Sequence, residues 1–327
     1  MRIRSIVLLL ALAVLAAPGQ AAKKNYAYYR AGSAVDAAAN TSPGTVLMGG
    51  GPDVDAAFQW MCQRAGGGDF LVLRATGTDA YNPYVEGLCP GLNSVATLIV
   101  PGAAGAGDPF VVSAVRNAEA IWIAGGDQSD YVTNWMGTPL QREVNVKLDA
   151  VPVGGTSAGM MVLTPFIYSA LGSQGVTSSQ ALADPFNKYV TLARDLFAVG
   201  GLAQTIGDSH FVARDRMGRT MAFMCRVASE GWASAPRAIA IDEETALLVD
   251  GPATLVGAGA AYFLEASGPA EACDPKMPLT YANVDVYRIT GTGTFDLEAW
   301  RGRGGLRYQV SATAGVLSST REGGSIY

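Results

Sequence analysis

A serine set between small residues is the strongest chemical signal in the sequence. Gly155-Thr156-Ser157-Ala158-Gly159 has the pattern G-x-S-x-G and lies between a short apolar segment and the helical-looking run Met160 to Leu163. Between a strand and a helix this pattern forms a nucleophile elbow, and the helix start offers N–H groups to a developing oxyanion. We therefore predict that Ser157 is a nucleophile. The alternative is a glycine-rich turn with an incidental serine.

The base that such a serine needs can come from one histidine. A serine hydroxyl is a weak nucleophile until a neighbouring base takes its proton, and histidine is the usual base. His210, in Gly207-Asp208-Ser209-His210-Phe211, is the only histidine in the chain. Together with the serine motif, this residue predicts a serine hydrolase in which His210 is the base.

The carboxylate that would orient the imidazole can come from two parts of the chain. Asp184, Asp195 and Asp208 lie between the serine and the histidine. Three further acids follow the histidine at the end of an apolar segment: Asp242, Glu243 and Glu244. The order serine, acid, histidine is that of α/β-hydrolases. The place of the later acids at the end of a buried strand favours the order serine, histidine, acid. The residues alone do not decide among Asp242, Glu243 and Glu244.

Apolar segments that end in glycine or acid predict the elements that hold these residues. The spacing of Val54, Phe58, Met61 and Cys62 predicts a helix. Strands are predicted at 45–48, 70–73, 96–100, 120–124, 151–153 and 238–241. Strands that are apolar on both faces and alternate with helices indicate a parallel sheet, with ligands at the carboxyl ends of the strands. The segments 247–264 and 284–289 indicate hairpins. We therefore predict an α/β fold in which helices flank a parallel sheet, with a β-rich C-terminal part.

The triplet Gly49-Gly50-Gly51 follows the first of these strands. We interpret it as a turn. A nucleotide-binding loop would need the third glycine of G-x-G-x-x-G or a following lysine, and the sequence has neither at this place.

The first residues and the composition bear on location. Residues 1–22 combine a short basic start, the apolar run Ile6 to Ala17 and a group of small residues, which is the pattern of a secretory signal peptide. The apolar run is too short to span a bilayer. We therefore expect an exported protein, periplasmic or extracellular, with no membrane attachment after cleavage and with residues 23–327 as one domain.

The charge of the chain argues against a nucleic-acid partner. Removal of Arg2 and Arg4 with the signal peptide takes the formal net charge from −5 to −7. No run of lysine and arginine is present to bind phosphates. The partner that we expect is a peptide or polyamide substrate.

Four cysteines lie in the exported part: Cys62, Cys89, Cys225 and Cys273. Their spacing matches no zinc motif, and oxidation is permitted in an exported protein. Four cysteines allow three connectivities. We expect Cys62 to pair with Cys89, because this bond joins a predicted helix to the loop before the next strand, and Cys225 to pair with Cys273. Buried free thiols are the alternative.

Four motifs, in order along the chain, resemble the cyanophycinases and their relatives, the dipeptidase E enzymes. These are serine peptidases on a flavodoxin-like or class I glutamine amidotransferase-like α/β scaffold. Three of the matching segments are 155–159, Gly125-Gly126-Asp127-Gln128 and Ile241-Asp242-Glu243. The fourth has an aspartate before the histidine and spaced arginines after it: Asp208, His210, Phe211, Arg214, Arg216, Gly218 and Arg219. The resemblance covers most of the chain after the signal peptide.

The resemblance implies a role for each of these residues. Glu243 would supply the carboxylate of the triad, and the N–H groups of Gly126 and Ala158 would form the oxyanion hole. Five side chains would line the substrate cleft: Gln128, Asp208, Arg214, Arg216 and Arg219. We expect Arg214 or Arg216 to bind a substrate carboxylate. The chain departs from the family at Ser209, where cyanophycinases tend to carry glutamine.

The combined prediction is an exported serine-type exopeptidase that hydrolyses peptide or isopeptide bonds through an acyl-enzyme. The resemblance implies cyanophycin as the first substrate to test, with release of β-Asp-Arg dipeptides. We expect no metal and no organic cofactor. The sequence does not decide the oligomeric state, and a homodimer is one option. One alternative is an α/β-hydrolase-type esterase whose acid is Asp184 or Asp195. The other is a secreted binding protein that keeps the fold without turnover.

Overall fold

The computed structural model describes residues 24–172 and 174–327. The predicted signal peptide, residues 1–22, lies outside this range. Among the described residues, no helix has the length and the apolar character needed to cross a membrane.

The described strands form two sheets, and helices connect many of them. The strands are β1 (Ala27–Gly32), β2 (Gly44–Met48), β3 (Asp69–Arg74), β4 (Ser94–Ile99), β5 (Ala120–Ile123), β6 (Pro152–Thr156), β7 (Phe166–Tyr168), β8 (Leu192–Arg194), β9 (Thr205–Asp208), β10 (Arg237–Ile241), β11 (Thr245–Val249), β12 (Ala253–Gly257), β13 (Ala261–Ala266), β14 (Tyr281–Ile289), β15 (Thr294–Asp296), β16 (Arg301–Arg303), β17 (Leu306–Thr313) and β18 (Val316–Ser319). The helices are α1 (Asp55–Arg64), α2 (Tyr81–Leu88), α3 (Ala103–Ala106), α4 (Pro109–Arg116), α5 (Gln128–Trp135), α6 (Pro139–Lys147), α7 (Ala158–Met161), α8 (Ser178–Ala183) and α9 (Met217–Ser229), with a 3-10 turn at Glu322–Gly324.

The first sheet has the order β1-β4-β3-β5-β6-β2-β11-β12-β15-β16. Its five strands from β4 to β2 are parallel, and antiparallel strands extend it on both sides. Residues of the parallel strands are buried on both faces, and their sequences are largely apolar. Phe58 of α1 packs against Trp122 on one face, with ring centroids 4.5 Å apart, while α4, α5 and α6 cover the other face.

Side chains at the helix starts define several of these elements. Asp127 accepts a hydrogen bond from the Ser129 N–H at the start of α5. Thr138 caps α6 in the same way, with Pro139 as the first helical residue, and Thr177 forms a capping box with Gln180 at α8. These caps satisfy N–H groups that have no acceptor inside the helix.

The second sheet has the order β18-β17-β14-β13-β10-β9-β7-β8. Within it, β9 runs parallel to β10 and to β7, and the remaining neighbours are antiparallel. The connection 242–244 leads from β10 in this sheet to β11 in the first sheet. A single apolar cluster includes side chains from both sheets, among them Ile123 and Ile239.

The architecture corrects one part of the predicted fold. The segment 238–241 is a strand, as predicted, but it lies in the second sheet and not in the parallel sheet of the other predicted strands. An apolar strand that is buried on both faces has the same sequence pattern in either sheet, so the pattern could not assign its neighbours. Of the two segments predicted as hairpins, 247–264 contains the antiparallel pair β11 with β12. The segment 284–289 is instead part of the single strand β14, which pairs with β13 and β17.

The cysteine pairing that we expected is confirmed. Cys62 of α1 is bonded to Cys89, which directly follows α2. Cys225 of α9 is bonded to Cys273, in the segment between β13 and β14. No free cysteine is left in the part of the chain that the structure describes.

Candidate active site

Ser157 lies on a sharp turn between β6 and α7. Its φ of +54° and ψ of −116° are unusual for a residue with a side chain. The Ser157 N–H donates to the Met48 carbonyl oxygen at 3.0 Å, which ties the turn to β2. A Cβ on Gly159 would collide with the Ile123 carbonyl oxygen, and one on Gly155 would lie 2.6 Å from the Gly159 carbonyl carbon. The small residues of the motif are therefore required by close backbone packing.

His210 and Glu243 complete a chain of hydrogen bonds with this serine. The Ser157 hydroxyl lies 2.7 Å from Nε2 of His210, and Nδ1 of the same ring lies 2.5 Å from Oε1 of Glu243. Because an ionised carboxylate only accepts hydrogen bonds, Nδ1 carries the proton and Nε2 is free to accept one from the serine. This is the arrangement in which an imidazole can act as a general base.

The three groups come from both sheets. Ser157 follows β6 of the first sheet, and His210 comes two residues after β9 of the second. Glu243 lies in the connection that joins the two sheets. The His210 N–H donates to the Gly49 carbonyl oxygen at 2.7 Å, so the histidine backbone is also bound to the end of β2.

The glycine turn after β2 makes room for the imidazole. A Cβ on Gly50, whose φ is +93°, would lie 2.5 Å from Nε2 of His210. A Cβ on Gly51 would lie 3.0 Å from Cβ of Glu243. The sequence predicted a turn here but gave no sign that it borders the triad, because the contact joins residues that are far apart in the chain.

The neighbours of Glu243 have other partners. Asp242 accepts hydrogen bonds from the N–H groups of Val212 and Ala260, at 3.1 and 3.0 Å. The side chain of Glu244 is exposed to solvent. Of these three acids, Glu243 is therefore the one that binds the imidazole.

The acids of the esterase alternative also bind elsewhere. The Asp184 carboxylate accepts from the N–H groups of Phe186 and Lys276. The Asp195 carboxylate is largely exposed and lies 3.6 Å from Nε of Arg194. The geometry thus has the order serine, histidine, acid, and the order of α/β-hydrolases is absent from the described residues.

Asp208 and Arg219 do not line a cleft, contrary to our expectation. Asp208 is 0% exposed and Arg219 is 4% exposed. Two guanidinium nitrogens of Arg219 bind the Asp208 carboxylate, with Nε at 2.8 Å, and the Thr220 hydroxyl donates to it at 2.9 Å. Burial by itself would raise the pKa of Asp208, but the guanidinium groups of Arg219 and Arg216 lower it overall. The pair is a buried ion pair, whose disruption is strongly destabilising.

The other two arginines precede α9. Arg216 donates from Nη1 to the Ser209 carbonyl oxygen at 2.7 Å, and its side chain is 13% exposed. Arg214 is open to solvent, with 54% of its side chain exposed, and its Nε lies 3.9 Å from Oε1 of Glu243. Of the three predicted arginines, Arg214 is therefore the one whose charge faces solvent beside the triad.

The remaining predicted residues lie around the serine. A Cβ on Gly125 would lie 3.4 Å from Cβ of Ser157, so the turn of Gly125 and Gly126 borders this serine. Ala158 is the first residue of α7, where N–H groups have no acceptor within a helix. Gln128 is half-buried and donates from Nε2 to the Tyr168 carbonyl oxygen at 3.1 Å. The oxyanion and substrate roles of these residues stay predictions.

Burial sets the charge of the imidazole. Desolvation lowers the pKa of His210, the hydrogen bond to Glu243 opposes this, and the charges of Arg214 and Arg216 lower the pKa further. The net direction is downward, so the ring is mainly neutral near pH 7, as a base must be.

Among the described residues, no group of histidine, cysteine or acidic side chains is arranged to hold a metal ion.

The solved structures that resemble this chain at low sequence identity include two whose names indicate peptidases. One is a peptidase from an acI-B1 Actinobacterium, with a TM-score of 0.46 and 16% identity over 68% of this chain and 91% of that chain. The other is a putative peptidase E protein from Listeria monocytogenes EGD-e, with a TM-score of 0.41 and 14% identity over 66% of this chain and 99% of that chain. No protein-family model and no curated protein matches the sequence.

The pKa of His210 can be measured directly, because the chain has no other histidine. We expect NMR titration of the protein, made without a histidine tag, to give a pKa below the ordinary value of about 6.5. Arg214→Ala should raise this pKa by removing a positive charge, and Glu243→Gln should lower it further by removing the carboxylate. The exposed control Arg142→Ala should leave it unchanged.

The lowered pKa of His210 also predicts how stability depends on pH. Because folding depresses this pKa, the contribution of the neutral imidazole to the free energy of unfolding is lost as the pH falls from about 6.5 through the folded-state pKa. A parent pKa above 6.5, or a downward shift in Arg214→Ala, would contradict this account of the site.

Gly50→Ala tests whether the glycine turn positions the imidazole. We expect the added Cβ to displace the ring and to reduce kcat/KM for a small neutral ester by roughly 100-fold, the cost of a misplacement of about 1 Å. The matched control is Gly251→Ala, because Gly251 also has a positive φ, of +76°, but a Cβ there would meet no atom within 4 Å. Equal activities of the two variants, with both folded by circular dichroism, would contradict the proposed contact.

Proposed function

We propose that the protein is a serine-type peptidase with Ser157 as nucleophile, His210 as base and Glu243 as the acid that orients the base. The observation that carries the proposal is the continuous hydrogen-bond chain through these residues, at 2.7 and 2.5 Å. The strained serine turn and the lowered pKa of His210 support the same assignment. Nucleophilic catalysis by serine requires an adjacent base that is oriented by a third group, and these three residues have that arrangement.

In the proposed reaction the Ser157 oxygen attacks the substrate carbonyl carbon while Nε2 of His210 takes the hydroxyl proton. Glu243 stabilises the imidazolium that forms. The N–H groups of Gly126 and Ala158 would donate to the oxyanion. His210 then gives its proton to the leaving amine, which breaks the C–N bond and leaves an acyl-serine. Water, deprotonated by His210, hydrolyses this ester and regenerates the serine.

For the substrate we propose a peptide or isopeptide with a carboxylate near the scissile bond. The support is the exposed guanidinium of Arg214 beside Glu243, because guanidinium groups bind carboxylates in paired hydrogen bonds. The β-Asp-Arg unit of cyanophycin has this chemistry, and the sequence motifs resemble the cyanophycinases. The predicted signal peptide would place the enzyme in the periplasm or outside the cell.

We further propose that the scaffold is flavodoxin-like. In the first sheet the strands β4-β3-β5-β6 follow part of the flavodoxin order 2-1-3-4-5, and β2 takes the place of the fifth strand. Ligands in such sheets bind outside the carboxyl ends of the strands. Ser157 follows the carboxyl end of β6, which agrees with a catalytic site at this edge.

Arg214→Ala tests the substrate class separately from the chemistry. We expect kcat/KM for β-Asp-Arg polymer to fall by roughly 10- to 150-fold, corresponding to about 1.5–3 kcal/mol for a charged hydrogen bond. Hydrolysis of a small neutral ester should stay within about twofold of the parent, because the triad is intact. At pH 8 His210 is neutral in both proteins, so a change in its pKa caused by the loss of Arg214 does not alter the measured rates.

Two controls define the outcome. Ser157→Ala should lose activity on both substrates, and Arg142→Ala should keep both. If the parent cleaves neutral esters but ignores the polymer, or if Arg214→Ala cleaves the polymer as the parent does, the proposed substrate class is wrong. If Ser157→Ala retains activity within tenfold of the parent, the proposed nucleophile is wrong.

A further inference from the structure

The loop 210–216, which we call the histidine loop, needs external support. His210 and Asp215 both have a φ of +48°, a conformation that side chains disfavour. Contacts on one side come from the end of β10: the Phe211 N–H donates to the Ile241 carbonyl oxygen at 3.2 Å, and Asp242 accepts from the Val212 N–H. On another side, the Ser178 hydroxyl donates to the Asp215 carbonyl oxygen.

Tyr327 supplies a third side of this support. Its hydroxyl donates to the Asp215 carboxylate at 2.8 Å and accepts from the Met217 N–H at 2.9 Å. Its ring packs edge-on against Phe211, the residue next to the histidine, with centroids 5.4 Å apart. Phe211 is fully buried. One phenol therefore contacts both ends of the segment that follows His210.

The hydrogen bond to Met217 also closes the start of α9. The first N–H groups of a helix have no acceptor within it, and the side chain of Arg216, at the cap position, accepts none of them. The first turn of α9 carries Arg219 and Thr220, which hold Asp208 two residues before the histidine. A fixed start of α9 thus supports the chain on both sides of His210.

The segment that carries Tyr327 is itself held in place. The Tyr308 hydroxyl of β17 donates to the Ile326 carbonyl oxygen at 3.0 Å. The Tyr327 ring also packs edge-on near Tyr262 of β13, with centroids 6.3 Å apart. These contacts connect the second sheet to the histidine loop through a single side chain.

We propose that Tyr327 is a positioning residue for His210, which keeps Nε2 within reach of Ser157 and Nδ1 on Glu243. The inference rests on the proposed function of this triad. Tyr327 touches none of the reacting atoms and acts through Phe211, Asp215 and Met217. Loss of its hydroxyl leaves the Met217 N–H without its acceptor and frees the Asp215 carboxylate, so the loop and the imidazole move.

The test compares Tyr327→Phe and Tyr327→Ala with the control Tyr287→Phe. Tyr287 also accepts a backbone hydrogen bond, from the Gly305 N–H at 3.0 Å, in a part of the second sheet away from the histidine loop. One readout is the rate at which a small neutral phosphonate labels Ser157 at pH 8. The other is the NMR signal of the His210 Cε1 proton, which is unique in this chain.

We expect Tyr327→Phe to slow labelling at least threefold and Tyr327→Ala at least tenfold, while Tyr287→Phe matches the parent. The His210 signal should shift or broaden in both Tyr327 variants, and its titration midpoint should rise as water reaches the ring. Burial is the largest influence on this midpoint, followed by the charged groups Glu243, Arg214 and Arg216, and these three residues are unchanged in the variants.

The outcomes separate this inference from the proposed function. A parent that the phosphonate fails to label contradicts the proposed function, whereas the His210 signal still reports whether Tyr327 positions the ring. A Tyr327→Phe variant that is less stable but keeps the parent labelling rate and the parent His210 signal overturns the proposal, because Tyr327 would then be structural only. Should Tyr327→Ala not fold, Tyr327→Phe, which keeps the ring, decides the question.

Discussion

The contact between the imidazole of His210 and the glycine turn after β2 is the constraint on which the site depends. The ring lies so close to Gly50 that a single methyl group there would occupy the space of Nε2. This approach brings His210 within 2.7 Å of Ser157, which follows the strand β6 beside β2. The hydrogen-bond chain therefore requires a residue without a side chain at Gly50. The glycines of the elbow are required for the same reason, because backbone atoms approach them closely beside the serine.

The residues of the site come from both sheets, which explains why many of the side chains that position them are buried. Ser157 follows a strand of the parallel sheet and His210 follows a strand of the second sheet, so their separation depends on how the sheets pack. Glu243 lies in the short connection between them. The buried ion pair of Asp208 with Arg219 holds the end of β9 in place. Asp208 and Arg219, which the sequence suggested as substrate ligands, thus hold the chain next to His210.

Sequence patterns were sufficient for the local features of this site. The elbow, the single histidine and the acids after β10 follow from residue types in their immediate context, as do the buried strands and the hairpin in 247–264. Features that depend on contacts between distant segments were missed or misassigned: the sheet to which β10 belongs, the role of Gly50, the burial of Arg219 and the contact of Tyr327 with the histidine loop. An arginine that binds substrate and one that binds a buried aspartate have the same local pattern, because only the packed structure decides which groups are exposed.

Mapping of a covalent adduct tests whether His210 activates Ser157 as a nucleophile. The parent and His210→Ala would be treated with a serine-directed fluorophosphonate, and the adducts located by mass spectrometry of their peptides. We expect a single adduct at Ser157 in the parent and a labelling rate lower by about three powers of ten in His210→Ala. An adduct at another residue, or equal labelling of the two proteins, would contradict it.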